Sequence, residues 1–170
     1  MTGAAPLLIV VMGVSGAGKT TIAQALSARL HWPFVDGDSL HPKANIDKMA
    51  SGRPLDDADR APWLAAIGAW MDERAKAGEP GVVSCSALKR AYRDTLRAGR
   101  PQARIVYLHG TQALIAERLA RRKGHFMPPS LLASQFSDLQ PPGPDENALT
   151  VEIDQPAAAI VGDIVRGLAL

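Results

Sequence analysis

The sequence has one cysteine, few aromatic residues and no long apolar run. A lone Cys85 excludes an intramolecular disulfide and fits a reducing compartment. Aromatic residues make up 5% of the chain, a poor supply of stacking platforms, and no nucleic-acid-binding motif accompanies them. The apolar run Leu7–Met12 is far too short to span a bilayer. It also lacks the basic flank and cleavage site of a secretory leader. The expectation is a cytoplasmic protein with no membrane and no nucleic-acid partner. The net charge of +2 excludes little. What is present is ordinary globular stock, 46% hydrophobic and 21% charged over 170 residues, enough for one domain with a core of its own.

Charge is unevenly placed. Residues 36–79 carry nine acids and six Lys or Arg, whereas residues 89–123 carry ten Lys or Arg and two acids, Asp94 and Glu117. The basic stretch reads either as solvated helix faces or as a wall over an anionic ligand.

Hydrophobic periodicity sets out the elements. Leu7–Met12 is a β-branched-rich run of the kind buried in parallel sheets. Ile22, Leu26 and Leu30 then recur along one face of a helix over Thr20–Leu30. Further strands are expected at Trp32–Val35, Gly81–Cys85, Arg104–Leu108 and Leu149–Ile153. Helices are expected at Pro62–Ala77, Ala87–Ala98, Thr111–Lys123, Pro128–Leu139 and Ala157–Leu168, with weak helical signal at Ala44–Met49. Strands alternating with helices predict a single α/β domain over 1–170, a parallel five-stranded sheet flanked by helices.

Gly13-Val14-Ser15-Gly16-Ala17-Gly18-Lys19-Thr20 matches G-x-x-x-x-G-K-[ST], between an apolar strand and a helix. That setting belongs to a phosphate cradle. Glycines let backbone N–H groups approach the phosphates, and the helix directs its positive end at the same anion. Lys19 then reaches the β and γ oxygens, and the Thr20 hydroxyl ligates Mg2+. The cofactors expected are ATP and Mg2+ in a P-loop NTPase fold. The guanine signature N-K-x-D is missing, which counts against a GTPase.

The early strand that delivers carboxylates is the second, at Asp36 and Asp38. Alternation along an extended segment puts both side chains on one side. Asp36 then suits the metal and Asp38 a substrate hydroxyl; the competing reading is a turn held by Asp side chains. Cys85 has no charged neighbour in sequence that would make it a nucleophile and reads as a packed strand-end residue.

Longer motifs surround these residues: Asp36-Gly37-Asp38-Ser39-Leu40-His41-Pro42, Lys48-Met49-Ala50-Ser51-Gly52, Asp59-Arg60, Pro62-Trp63, Cys85-Ser86-Ala87-Leu88-Lys89, Tyr92-Arg93-Asp94, Arg122-Lys123-Gly124-His125-Phe126, Gln135-Phe136 and Asp154-Gln155-Pro156. Together they resemble the bacterial gluconokinase family of thermoresistant type, over roughly residues 8–165. The resemblance implies ATP-dependent phosphorylation of D-gluconate to 6-phospho-D-gluconate. The close alternative is a related kinase for another sugar acid or a shikimate-like molecule. It further implies a fold similar to shikimate and nucleoside monophosphate kinases, a substrate-binding segment near 36–63, a lid near 122–138 and a homodimer. Gluconate is a polyol with a carboxylate, and Asp38, His41, Asn45, Lys48 and Arg60 supply suitable groups, with Lys89 and Arg93 as further cations. Arg118 and Arg122 are the expected cations on the nucleotide and the transferring phosphate.

Overall fold

The computed structural model describes residues 6–121 and 129–170. Five strands, β1 (Leu8–Met12), β2 (Phe34–Asp36), β3 (Gly81–Ser84), β4 (Ala103–His109) and β5 (Leu149–Glu152), form one parallel sheet in the order β2-β3-β1-β4-β5. Among the described residues seven α-helices surround it: α1 (Lys19–Leu30), α2 (Lys43–Ala50), α3 (Asp57–Lys76), α4 (Arg90–Arg97), α5 (Gln112–Arg121), α6 (Pro129–Asp138) and α7 (Ala157–Gly167).

The apolar character of β1 follows from its place in the middle. Ile9 and Val11 face one layer, with Ile22 and Leu26 of α1, Ile115 and Leu119 of α5, Leu132 of α6 and Ile160 and Ile164 of α7. Leu8, Val10 and Met12 face the other, with Trp63, Ile67 and Met71 of α3 and Leu96 of α4. Both faces are covered, so no position of β1 tolerates a polar residue, and the run lacks the alternation of a half-exposed strand.

From β1 the chain crosses to β2 on one side and later to β4 on the other. The strand order therefore reverses beside β1, and a crevice opens past its carboxyl end. The P-loop sits there, and the ends of β2 and β3 lie next to it.

Two helices begin elsewhere than their sequence suggested. Pro62 read as the first residue of a helix, but α3 starts at Asp57 and carries Pro62 inside it. A capping box fixes that start: Asp56 accepts the Asp59 N–H at 2.7 Å, and Asp59 accepts the Asp56 N–H at 2.9 Å. Pro62 removes one intrahelical bond, the one its N–H would give Ala58. The cap and the buried face Trp63, Leu64, Ile67 and Met71 outweigh that loss. The basic helix α4 begins at Arg90 rather than Ala87, because Ala87 is left-handed at φ 45°.

Candidate active site

The P-loop is a turn packed to its limit. Gly16 is left-handed at φ 86°, and a Cβ there would lie 2.8 Å from Leu119 Cγ of α5. A side chain would be strained at that angle and would push the loop off the helix beneath it. The Gly13 N–H donates to the Ser86 carbonyl at 3.4 Å, tying the loop to the end of β3. Lys19 Nζ donates to the Val14 carbonyl at 3.1 Å, so its ammonium arches over the loop.

Asp36 ends β2, but the chain does not stay extended to Asp38. Gly37–Leu40 is a turn of 3-10 helix, which corrects the expectation that alternation along a strand aligns the two carboxylates. Asp36 caps that turn, accepting the Asp38 N–H at 3.0 Å and the Ser84 hydroxyl at 3.2 Å. The turn presses on β3: a Cβ on Gly37 would come within 2.2 Å of the Ser84 carbonyl, so only glycine fits. Trp63 of α3 closes the arrangement from behind, donating its indole N–H to the Gly37 carbonyl at 2.7 Å. Asp38 is left exposed, its carboxylate without a hydrogen-bond partner among the described residues.

His41 lies flat on Trp63, with ring centroids 4.2 Å apart and planes within 13°. The buried Asn45 amide donates one hydrogen to the Asp59 carbonyl at 2.8 Å and the other to His41 Nδ1 at 3.2 Å. The first bond fixes the amide's orientation. The second makes Nδ1 an acceptor, so the neutral ring carries its proton on Nε2. Burial lowers the His41 pKa; Asp38 opposes that shift and Arg60 adds to it.

The cations near Asp38 differ in how they are engaged. Lys48 Nζ sits 2.5 Å from Asp59 Oδ2 and 3.8 Å from Asp56. Lys89 Nζ is 3.1 Å from Asp57, which holds its pKa up. Arg60 donates to the Tyr92 hydroxyl at 2.9 Å, its guanidinium 5.4 Å from the centre of that ring. The Tyr92 hydroxyl donates in turn to Asp57, whose pKa that bond and Lys89 lower. Arg60 is thus held in place by a neutral partner, and among the described residues it forms no ion pair.

Arg93 departs from its expected role. It is wholly buried, paired to Glu146 at 2.7 and 3.1 Å, and donates to the Ala87 and Leu88 carbonyls. It braces the segment after β3 and has no exposed surface to offer a substrate. Other cations of the basic stretch are also spent on pairs, Arg90 with Asp145, Arg100 with Asp72 and Arg121 with Glu117. Five of the ten Lys and Arg of that stretch are thus paired to acids among the described residues.

Cys85 lies between the two halves of the site. Burial pushes its thiol up to about 12, while Lys19 and Asp38 act on it with opposite sign. Arg118 donates to the Ile153 carbonyl, at the turn that leads into Asp154-Gln155-Pro156. Arg122 lies outside the described residues.

Roles for Gln135, Trp63 and Tyr92 escaped sequence reasoning. Gln135 of α6 accepts the Ser15 N–H at 2.7 Å and donates to the Ser15 hydroxyl at 2.9 Å. Its one signal in sequence is a polar residue between Leu132, Phe136 and Leu139 on an otherwise apolar helix face.

Among the described residues no three His, Cys, Asp or Glu side chains gather to hold a metal, and no helix is long and apolar enough to cross a membrane. Residues 8–142 match a family model described as an AAA domain. A gluconokinase of Gluconobacter oxydans (strain 621H) is 48% identical over 96% of this chain and 92% of that one. The thermoresistant gluconokinase of Escherichia coli (strain K12) is 46% identical over 94% and 91%. The crystal structure of a gluconokinase from Sinorhizobium meliloti 1021 superposes with a TM-score of 0.87 at 50% identity, covering 97% of this chain and 93% of that one.

Proposed function

The chain belongs to the gluconokinase family of P-loop kinases, and from that membership we propose that it transfers the terminal phosphate of ATP to D-gluconate, releasing 6-phospho-D-gluconate and ADP. The observation that carries this reading is the pairing of a phosphate cradle, Gly13–Thr20, with an exposed Asp38 and a fixed Arg60 on the neighbouring wall.

P-loop kinases use ATP with Mg2+. The residues here fit a cation held mainly by phosphate oxygens, since among the described residues no protein cage gathers and Asp36 is oriented through one oxygen by Asp38 N–H and Ser84. Thr20 and Asp36 would hold Mg2+, which would neutralise charge shared by the β and γ phosphates.

The chain's own residues have separable tasks. The backbone of Gly13–Thr20 and Lys19 hold the phosphates and spread the charge that develops on them. Asp38 meets the C6 hydroxyl of gluconate, orienting it or accepting its proton as its oxygen bonds to the γ phosphorus and the bond to ADP breaks. His41 offers Nε2–H to a hydroxyl oxygen, while Asn45 positions His41 from beneath. Arg60 binds the carboxylate. Lys48 and Lys89, already neutralised by acids, are weaker candidates for that anion. The 36–63 segment is thus assigned to substrate, and Arg118 with Arg122 of the 122–138 lid to the nucleotide end. The homodimer is proposed on family membership alone; light scattering on the purified chain tests it.

The test of the function is product identity. Incubation with ATP, Mg2+ and D-gluconate should give one 6-phospho-D-gluconate per ADP, read by phosphorus NMR. ADP without a phosphorylated acid would leave only an ATPase.

A further inference from the structure

The Gln135 amide is placed for more than packing. Helix α6 turns Leu132, Phe136 and Leu139 toward the apolar layers around β1, and Leu132 is buried there. Gln135 shares that face, where an apolar residue would serve packing alone, and spends both ends of its amide on Ser15. Ser15 is the third residue of the phosphate cradle. Its N–H belongs to the loop whose backbone donors cradle a polyphosphate.

One N–H makes one strong hydrogen bond. A phosphate oxygen and Gln135 Oε1 are therefore rivals for the Ser15 N–H, and whatever binds there is thermodynamically linked to the docking of α6. We propose that Gln135 is a nucleotide-responsive residue whose carbonyl holds the Ser15 N–H and yields it to the terminal phosphate of a bound nucleoside triphosphate, so that triphosphate occupancy loosens α6 from the P-loop. The terminal phosphate is assigned because Ser15 lies ahead of Gly16–Thr20, whose backbone N–H groups sit at the helix start and take the inner phosphates, while the Lys19 side chain spans the β and γ oxygens. A diphosphate then leaves the Gln135 bonds in place. The inference rests on the reading of Gly13–Thr20 as a nucleotide cradle, though not on gluconate as the acceptor.

The competition has a definite sign. Removing the rival carbonyl leaves Ser15 without its partner and favours the phosphate. One net hydrogen bond changes an affinity by about 3- to 10-fold. The experiment is calorimetric titration of wild type, Gln135→Leu and Gln135→Ala with Mg·AMP-PNP and with Mg·ADP, thermal unfolding first verifying that each variant is folded. Amide hydrogen exchange over 131–138 of the wild type accompanies it. Both variants should bind AMP-PNP about 3- to 10-fold more tightly and ADP unchanged. AMP-PNP, and not ADP, should speed exchange in α6. Weaker AMP-PNP binding by both variants would make Gln135 a phosphate ligand and overturn the competition. Unchanged affinity, equal effects on the two nucleotides, or α6 exchange that ignores AMP-PNP would equally overturn it. Failure of wild type to bind either nucleotide would instead remove the cradle reading itself.

Discussion

At the scale of single residues, the proposed division of labour rests on Asp38 and His41. Asp38→Asn keeps shape and removes charge. Its kcat should fall by about 10²-fold or more, a loss in the range of general-base catalysis, with Mg·AMP-PNP affinity retained because the cradle lies on another element. Calorimetry beside steady-state kinetics reads both; lost nucleotide binding with intact turnover would reverse the assignment. His41 has a pKa lowered from 6.5 by burial, so its folded form favours the neutral ring. The stability it contributes is present above pH 6.5 and is lost as pH falls through its folded pKa. Its Nδ1 accepts from Asn45, and protonation breaks that bond. Asn45→Asp would set a carboxylate against the ring and should raise the His41 pKa above its wild-type value, seen by NMR titration; an unmoved pKa would deny the contact. The phosphate cradle was legible because its chemistry needs fixed residue types at fixed spacing. The tautomer of His41 was not, since it depends on a helix that brings Asn45 one turn onward and on Trp63 stacking from α3.

At the scale of elements, sequence reasoning found every described strand and missed how two helices, α3 and α4, begin. Pro62 is a strong helix-start signal, and it hid the Asp56–Asp59 reciprocal cap six residues earlier. Asp56→Ala should cost about 1 kcal/mol and lower the melting temperature by about 2–4 °C, measured by scanning calorimetry. An unchanged melting point would mean that the buried face of α3 alone sets its start. Arg93 was read as a site cation because nothing local discloses a partner 53 positions away. Arg93→Met should destabilise by about 3–5 kcal/mol, since Glu146 would be left buried and unpaired, and Arg93→Met with Glu146→Leu should recover much of that loss. Arg93 holds the Glu146 carboxyl below its ordinary 4.5. The pair's stabilisation is therefore complete above pH 4.5 and is lost as pH falls through the lowered value. Urea unfolding at two pH values checks both statements; equal stability of single and double variants would rule out the pair.

At the scale of the whole molecule, the sheet order brings the P-loop and the Asp36–Leu40 turn together. The reversal beside β1 gathers the P-loop, the Asp36–Leu40 turn and the segment after β3 at the carboxyl end of the sheet. Alternation of strands and helices announced a parallel sheet, but the order of its strands came only with tertiary packing. The same packing sorted the cations, by revealing that Lys48, Lys89 and Arg93 are matched to acids while Arg60 leans on Tyr92. A cation held by a neutral hydroxyl keeps its charge for a substrate carboxylate, and an acceptor without one leaves that charge unpaired. The most direct test of a gluconate kinase is therefore kcat/KM of the wild type for D-gluconate against sorbitol at saturating Mg·ATP, followed by coupled ADP release. Gluconate should be favoured by at least ~10²-fold, and Arg60→Ala should collapse the ratio by weakening gluconate; equal efficiency with the two polyols in the wild type would contradict carboxylate recognition, and the proposed substrate with it.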